Sequence, residues 1–571
     1  MTSPPVSRRF PKDIIELPKP VKQTFCLKIP TSTSSQMPSK KALLAGLKTA
    51  AEASVYYLTF FLCALPTARC AKTKPHIVFF LADDVGWGDV SFHGSSQIPT
   101  PNLDALAADG IILNNYYVQP YCTPSRSALL TGLYPIRTGM QGVPIDIPQP
   151  WGLPTDVRIL PQYLKEFGYE THLVGKWHLG SYKDSLTPTC RGFDSFYGFY
   201  YGEEDYYTHT LSYVRKPHRS RFLAEQGTRL PLLLVVSYQA AHSTVDPDHL
   251  QAPEENIAKF PYIGEKNRTF YAGMVDTLDQ SVGQVFKALG DAGMLENTVI
   301  AFSSDNGGAP WGNHNSRGYN WPLRGAKGTL WEGGTRAAAF VWSPLLAFRR
   351  RVSSQLMHIT DWLPTVQVTQ SQRSLSGGDA AKIAELDGYD MWRPLSYGLP
   401  SPRTELLYNY DYTFPMSSAL RNSRYKLVQD GSGRFIDRYN VPGGSRPCND
   451  LDSLLYQSTV AGVLRNIYKK DNLAFRRGWR QRATLTCGKA RATNFFSNTS
   501  VYLFDIVTDP CEFNNLASTL PNVVASLKKR LEAFGAAAVP VRMNRTIDPN
   551  SFPENHGGTW APWVPSSCPT S

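Results

Sequence analysis

The sequence predicts an α/β protein built on a doubly wound, mostly parallel sheet, followed by a smaller α+β region. Three observations carry this. Short apolar runs without alternation recur along the first part of the chain, helical patterns lie between them, and the texture changes after about Pro400. Unalternating apolar runs suit strands buried on both faces, and repeated strand–loop–helix units suit parallel crossovers.

The first run is His76–Ala82, "HIVFFLA", followed at once by "DDVGWGD". "TPNLDALAADG" then sets Thr100 as N-cap, Pro101 in the first turn and Gly110 as the stop of a helix. "YCTPSRSALLTG" (Tyr121–Gly132) offers Thr123 as N-cap and Pro124 as the first residue of a helix through Leu130. Further strands are expected at Thr171–Val174, Leu232–Ser237 and Val299–Ser304, with helices at Leu160–Phe167 and Tyr271–Gly290. Beyond Pro400, "SALRNSRYKLVQ" and "VYLFDIV" read as antiparallel strands. Asp430–Asp452 reads as a long loop and Asn522–Phe534 as one late helix. The chain thus divides into a leader (1–71), an α/β domain (72–399) and an α+β domain (400–571).

Charge and cysteine usage narrow the partners and the compartment. The formal net charge is +12, but residues 1–71 carry ten Lys/Arg against three Asp/Glu, leaving only +5 for the remainder. That is no nucleic-acid footprint, and it is compatible with a polyanionic substrate. "VYYLTFFLCAL" (55–65), with Lys40, Lys41 and Lys48 upstream, reads as the apolar core of a secretory signal peptide, and Met37 is an alternative start. The run is short for a membrane span, so a membrane is a partner only if the leader stays as an uncleaved anchor. N-x-S/T triplets at Asn267, Asn498 and Asn544 fit a glycoprotein of the secretory pathway, lysosomal or secreted. Six cysteines follow the leader: Cys122, Cys190, Cys448, Cys487, Cys511 and Cys568. An oxidising compartment favours pairing them, in a connectivity the sequence leaves open.

Chemistry gathers at the ends of the expected strands. Asp83 and Asp84 follow the first, and Asp305 and Asn306 follow another. Adjacent acids in a loop are usually just solvated. Three carboxylates and an amide at two strand ends, with no Cys or His in the set, favour a hard cation such as Ca²⁺ or Mg²⁺ over zinc. "GKWHLG" delivers Lys176 and His178, "YQAAHS" delivers His242, and "NWPLRGAKGTLWEGG" contributes Lys327. Doubly wound sheets place their sites at the carboxyl ends of the strands. Cys122 has three readings: a buried thiol, half of a disulfide, or the centre of an active site. Its place just before a helix N-terminus, beside Arg126, faces an environment that favours negative charge. A metal, two lysines, an arginine, two histidines and a candidate nucleophile describe a site for a tetrahedral oxyanion ester.

Cys122-Thr-Pro-Ser-Arg126 resembles the C-x-P-S-R signature of the sulfatases. "LADDVGWGD", "TGLYPIRTG", "GKWHLG", "SSDNGG" and "LFDIVTDPCEFNNLA" have counterparts in that family in the same order, over roughly His76 to Trp563. "GEEDYYTH" (Gly202–His209), "YAGMVDTLD" and "NWPLRGAKGTLWEGG" are most similar to the arylsulfatase B group, the N-acetylgalactosamine-4-sulfatases, which includes arylsulfatases I and J.

The resemblance implies an alkaline-phosphatase-like sulfatase fold and hydrolysis of a sulfuric ester. The implied substrate is the 4-sulfate of N-acetylgalactosamine in chondroitin or dermatan sulfate, or an aryl sulfate. It implies that the formylglycine-generating enzyme oxidises Cys122 to formylglycine, whose hydrate attacks sulfur. One Ca²⁺ would be held by Asp83, Asp84, Asp305 and Asn306 together with the modified Cys122. Lys176 and Lys327 would clamp the sulfate, and His242 would protonate the leaving oxygen. His178 would deprotonate the second hydroxyl to expel sulfate, and Arg126 would steady the modified side chain. Two other functions compete: an inactive secreted pseudo-sulfatase that binds sulfated glycans, and a phosphoester or phosphonate hydrolase of the same fold. The chain departs from the arylsulfatase B pattern between Tyr207 and Leu232, where only 24 residues intervene. "SRFLAEQ" there forms at most a stub of helix, which is expected to uncover part of the sheet and alter the substrate rim.

Overall fold

The computed structural model describes residues 74–211, 230–244, 249–311, 315–370, 385–411, 417–430, 443–448, 450–470, 473, 475–487 and 499–568. The expected leader with its apolar core at 55–65, "SRFLAEQ", and Asn498 lie outside the described residues. Fourteen strands are described. They are β1 (His76–Ala82), β2 (Ile111–Leu113), β3 (Tyr116–Tyr117), β4 (Glu170–Lys176), β5 (Ser195–Phe199), β6 (Leu232–Ser237) and β7 (Thr298–Ser304), then β8 (Ala339–Trp342), β9 (Arg351–Ser353), β10 (Met357–His358), β11 (Glu405–Asp411), β12 (Ser417–Asn422), β13 (Tyr425–Asp430) and β14 (Val501–Asp505).

Eight of them form one sheet in the order β5-β4-β6-β1-β7-β8-β2-β9. β1 lies between β6 and β7 and is parallel to both. The sheet is mixed only around β8, which runs antiparallel to β7 and β2. The lack of alternation in "HIVFFLA" has a direct cause. Val78, Phe80 and Ala82 enter the core on one face, and Ile77, Phe79 and Leu81 enter a second core on the other. Successive side chains of a strand point to opposite faces, so a strand buried on both sides needs apolar residues throughout.

Helices cover both faces. Pro101–Asp109 and Lys266–Asp291 pack on the first through Leu103, Leu106, Val275, Leu278, Val282 and Phe286. Cys122–Thr131 and Leu160–Glu166 pack on the second through Leu129, Leu130, Leu160 and Leu164. The Pro101–Asp109 helix starts after Thr100 and stops at Gly110, as its punctuation predicts.

The expectation for the next helix needs a correction. It begins at Cys122 itself with Tyr121 flanking, so neither Thr123 nor Pro124 starts it. The Thr123 hydroxyl instead donates to the His178 carbonyl and accepts from the Ile145 N–H, tying three loops of the site together.

The C-terminal region contributes a four-stranded antiparallel sheet, β11-β12-β13-β14, with the helix Pro521–Ala536 on one face through Leu527 and Leu531. Its other face meets Tyr117, Leu330 and Trp331. The chain between β13 and β14 was not expected to be helical, yet Leu451–Gln457, Thr459–Tyr468 and Trp479–Ala483 are helices. Leu455, Leu464 and Trp479 join the core of the large sheet rather than that of the small one. Residues 75–571 form one compact unit.

Disulfides join Cys190 to Cys568 and Cys487 to Cys511, leaving Cys122 buried and Cys448 exposed as free thiols among the described residues. No helix of the described residues is long and apolar enough to cross a membrane.

Candidate active site

The parallel register brings distant residues to one edge. Ala82 pairs with Ser304, and Ser237 with both Leu81 and Gly175, so β1, β4, β6 and β7 end together. Asp83 and Asp84 leave β1, Lys176 ends β4 with His178 just beyond, His242 follows β6, and Asp305 and Asn306 leave β7. Cys122 and Arg126 come from the N-terminal end of their helix, and Lys327 from the glycine-rich loop after β7. Every sequence-predicted residue of the site except the glycosylation asparagines arrives here. Asn267 and Asn544 are exposed elsewhere.

The site is dry. Asp83, Asp84, Cys122, Arg126, Lys176, His178, His242, Asp305 and Asn306 are all buried, and the Lys327 side chain is 6% exposed. Buried charge is costly unless paired, and each carboxylate has a cation. Lys176 Nζ lies 2.5 Å from Asp83, Arg126 Nη2 lies 2.8 Å from Asp305 and 3.3 Å from Asp83, and Lys327 Nζ lies 2.8 Å from Asp84. Arg126 also donates to Ser237 Oγ at 2.5 Å and to the Lys176 carbonyl at 3.2 Å. Burial and the neighbouring Asp83 raise the Asp305 carboxyl, with Arg126 working against them. Burial lowers Lys327, but Asp84, and after it Cys122, Asp83 and Asp305, together more than reverse this and hold the ammonium well above its usual range.

Four donor groups, from Asp83, Asp84, Cys122 and His242, lie within 4.8 Å of one another. Asn306 Nδ2 donates to Asp84 at 2.7 Å, while its Oδ1 is buried without a hydrogen-bond partner. An orphaned amide oxygen beside three carboxylates fits a hard, oxygen-seeking cation. The Cys122 sulfur lies 3.6 Å from Asp83. Burial first, then Asp83, push the thiol well above its ordinary range, so it stays protonated and a poor nucleophile.

The histidines differ. His178 Nε2 bonds the Ile145 carbonyl at 2.8 Å, which makes Nε2 the donor and leaves Nδ1, buried without a partner, carrying a lone pair. Burial and then Lys176 depress its pKa, keeping the ring neutral. A Cβ on Gly202 would come 3.1 Å from this ring. His178 and Asp84 both sit at φ +58°, an uncommon conformation for residues with a Cβ. His242 Nδ1 faces the Ser243 carbonyl at 2.6 Å and Glu203 at 3.2 Å, and its Nε2 lies 3.8 Å from Asp84.

Glu203 was not anticipated as a site residue. It stands inside "GEEDYYTH", and no local pattern distinguishes it from the two acids that follow; only the approach of that loop to β6 brings it to His242. Burial raises its carboxyl to about 7.

Comparison with known proteins identifies the family. The sulfatase family model matches residues 75–367. Arylsulfatase J of Mus musculus is 40% identical over 545 residues, covering 87% of this chain and 82% of its own length. The N-acetylgalactosamine-6-sulfatase of Canis lupus familiaris is 32% identical, covering 60% of this chain and 70% of its own. Among solved structures, Ps i-CgsB in complex with k-i-k-neocarrahexaose superposes with a TM-score of 0.63 at 24% identity, covering 83% of this chain and 95% of that one.

Proposed function

Because the chain belongs to the sulfatase family and is a sulfuric ester hydrolase, we propose that it removes the 4-sulfate of N-acetylgalactosamine residues in sulfated glycosaminoglycans. One observation supports the sulfate-ester part of this reading above the rest: three buried cations, Arg126, Lys176 and Lys327, converge with three carboxylates and an amide around Cys122.

Ca²⁺ held by Asp83, Asp84, Asp305 and Asn306 would supply Lewis-acid activation and neutralise sulfate charge. A formylglycine made from Cys122 would supply, as the hydrated aldehyde, the hydroxyl that attacks sulfur. The thiol's surroundings support this, since burial and then Asp83 push an unmodified Cys122 above its ordinary range. Lys176 and Lys327 hold the sulfate oxygens and offset charge as it develops. Arg126 fixes Asp83 and Asp305 in place. His242 delivers a proton to the leaving sugar oxygen. His178 takes a proton at Nδ1, the nitrogen left without a partner, so that sulfate can depart.

Two disulfides and the exposed Asn267 and Asn544 support a secretory-pathway protein, lysosomal or secreted. The test pairs the mass of the Cys122 peptide with turnover of N-acetylgalactosamine 4-sulfate against the 6-sulfate. An aldehyde at position 122 and preference for the 4-sulfate are expected. An unmodified thiol in fully active protein, or preference for the 6-sulfate, overturns the corresponding part.

A further inference from the structure

The two lysines reach the site by different routes. Lys176 ends β4, a strand paired on both sides within the large sheet. Lys327 stands in a loop. A lysine is a point charge on a flexible stem, so the place of its ammonium depends on how firmly its backbone is held.

The two ends of that loop are tied together. The Gly333 N–H donates to the Arg324 carbonyl at 2.6 Å, closing a neck with Lys327 inside it. Glu512, from the C-terminal region, grips both sides of the neck. Its carbonyl accepts from Arg324 Nη1 at 3.0 Å, and its carboxylate Oε2 accepts from the Glu332 N–H at 2.9 Å. The Arg324 guanidinium also lies 4.2 Å from the centre of the Trp331 ring, across the same neck. Arg324, Glu332 and Glu512 are all buried, and hydrogen bonds to buried charged groups are of the stronger kind.

Glu512 is itself held from two directions. Lys426 Nζ of β13 lies 2.7 Å from its carboxylate. The preceding residue, Cys511, is joined to Cys487 and packs with Trp87 and Leu323. Leu323 directly precedes Arg324, and Trp87 closely follows Asp84. At the tip of the loop the Lys327 N–H donates to the Gly308 carbonyl at 3.1 Å and the Gly328 N–H to the Pro120 carbonyl at 2.8 Å. Both are neutral backbone bonds, so the charged contacts of the loop backbone sit at its neck.

We propose that Glu512 is a positioning residue for the sulfate pocket: by clamping the neck of the loop it fixes where Lys327 presents its ammonium to the sulfate oxygens. The proposal rests on the sulfatase reading above, in which Lys327 holds sulfate. It makes sulfate affinity depend on the C-terminal region through one loop, while Lys176 stays in place on its strand.

The test is a double-mutant cycle. Glu512→Ala, Glu512→Gln, Lys327→Ala and the Glu512→Ala/Lys327→Ala pair are compared with the wild type. The readouts are kcat/KM on 4-nitrophenyl sulfate and competitive inhibition by inorganic sulfate. Glu512→Ala is expected to lower kcat/KM and sulfate affinity by about tenfold, the order of loss that a small misplacement of a binding group causes. In the Lys327→Ala background the same change should cost less than about twofold, since the lysine it positions is gone. In a Lys176→Ala background it should still cost about tenfold. Glu512→Gln keeps an oxygen for the Glu332 N–H and should stay within about threefold of the wild type. Where Lys327→Ala leaves too little turnover to measure, the rise in unfolding midpoint caused by inorganic sulfate, against chloride at equal ionic strength, supplies the same cycle.

An equal loss with and without Lys327, or a Glu512→Gln as impaired as Glu512→Ala, overturns the proposal while the sulfatase reading stands. Should Glu512→Ala fail to fold, Arg324→Lys takes its place in the cycle, because it loses the planar fork that spans the neck. A wild type that does not hydrolyse 4-nitrophenyl sulfate sinks the catalytic reading itself and this proposal with it.

Discussion

Arg126 Nη2 lies 2.8 Å from Asp305 Oδ2, although 179 positions separate them in sequence. The same guanidinium reaches Asp83, Ser237 and the Lys176 carbonyl, so one planar fork ties β1, β4, β6 and β7 together. Arg126→Ala leaves the buried Asp305 carboxylate without its cation, while Asp83 keeps Lys176. In metal-free protein it is expected to cost about 3–5 kcal/mol, measured by denaturant unfolding. Arg126→Lys retains the charge and should cost less, yet it lacks the fork, so its activity should also fall.

The orphaned Asn306 Oδ1 gives the metal reading a direct test. Ca²⁺ in excess should raise the unfolding free energy of the wild type, by about 2.7 kcal/mol at 100 times its Kd. Asn306→Ala and Asp305→Ala should lose most of that increment, and a chelator should abolish it in the wild type. Equal stabilisation of all three proteins by Ca²⁺ would place the ion elsewhere.

The two histidines should separate by leaving group. His242→Ala should cost about 10²–10⁴-fold on a sugar sulfate and much less on a nitrophenyl sulfate, because only the sugar alkoxide needs its proton. His178→Ala should cost similarly on both, since sulfate departure is common to them. Measuring kcat for both variants on both esters decides; identical responses would refute the division of roles.

A buried network joins the small sheet to the loop that carries Lys327, and it makes stability depend on pH. Lys426 Nζ lies 3.0 Å from Glu332 and 2.7 Å from Glu512. Burial raises the Glu512 carboxyl to about 7, with Lys426 opposing. Burial also opposes ionisation of Glu332, but Lys426 and then Arg336 and Arg421 hold it down to about 2. Between about pH 4.5 and about pH 7 the folded chain keeps a Glu512 proton that the unfolded chain releases, so this contribution is full below that window and lost as pH rises through it. The Glu332 contribution runs oppositely, present above about pH 4.5 and lost as pH falls through about 2. Thermal unfolding should therefore show higher stability near pH 5 than near pH 7.5, on the order of 1–3 kcal/mol from one such carboxyl. Glu512→Gln should flatten that slope.

Local chemistry made much of the fold readable. β1 and β6 fall where their apolar runs begin and end, and the helix after Thr100 starts at its proline and stops at its glycine. The short strands β2, β8 and β9 were missed because three or four residues carry too little pattern to separate a strand from a loop. The helices between Leu451 and Ala483 were missed for another reason. Leu451–Gln457 and Thr459–Tyr468 bury their apolar faces against Pro101–Asp109 and Lys266–Asp291, and Trp479–Ala483 packs on Ser91–His93 and β9, all partners outside their own region of sequence. The start of the Cys122 helix was misplaced because Thr123 was assigned to capping, whereas its hydroxyl is used across the chain at His178 and Ile145.

The sequence by itself determined which chemical groups this protein brings to its site. Strand, loop and helix signals are local, and a parallel sheet must deliver its strand-end residues to one edge. Asp83, Lys176, His178, His242 and Asp305 could therefore be gathered before any coordinates. Only the tertiary structure decided how those groups are paired and made to differ. The Arg126 fork, the lone pair on His178 Nδ1, the orphaned Asn306 oxygen and the carboxylate of Glu203 beside His242 each depend on a neighbour tens to hundreds of positions away. Burial strengthens such contacts and sets the proton affinities, and burial belongs to the packed chain, not to any stretch of it.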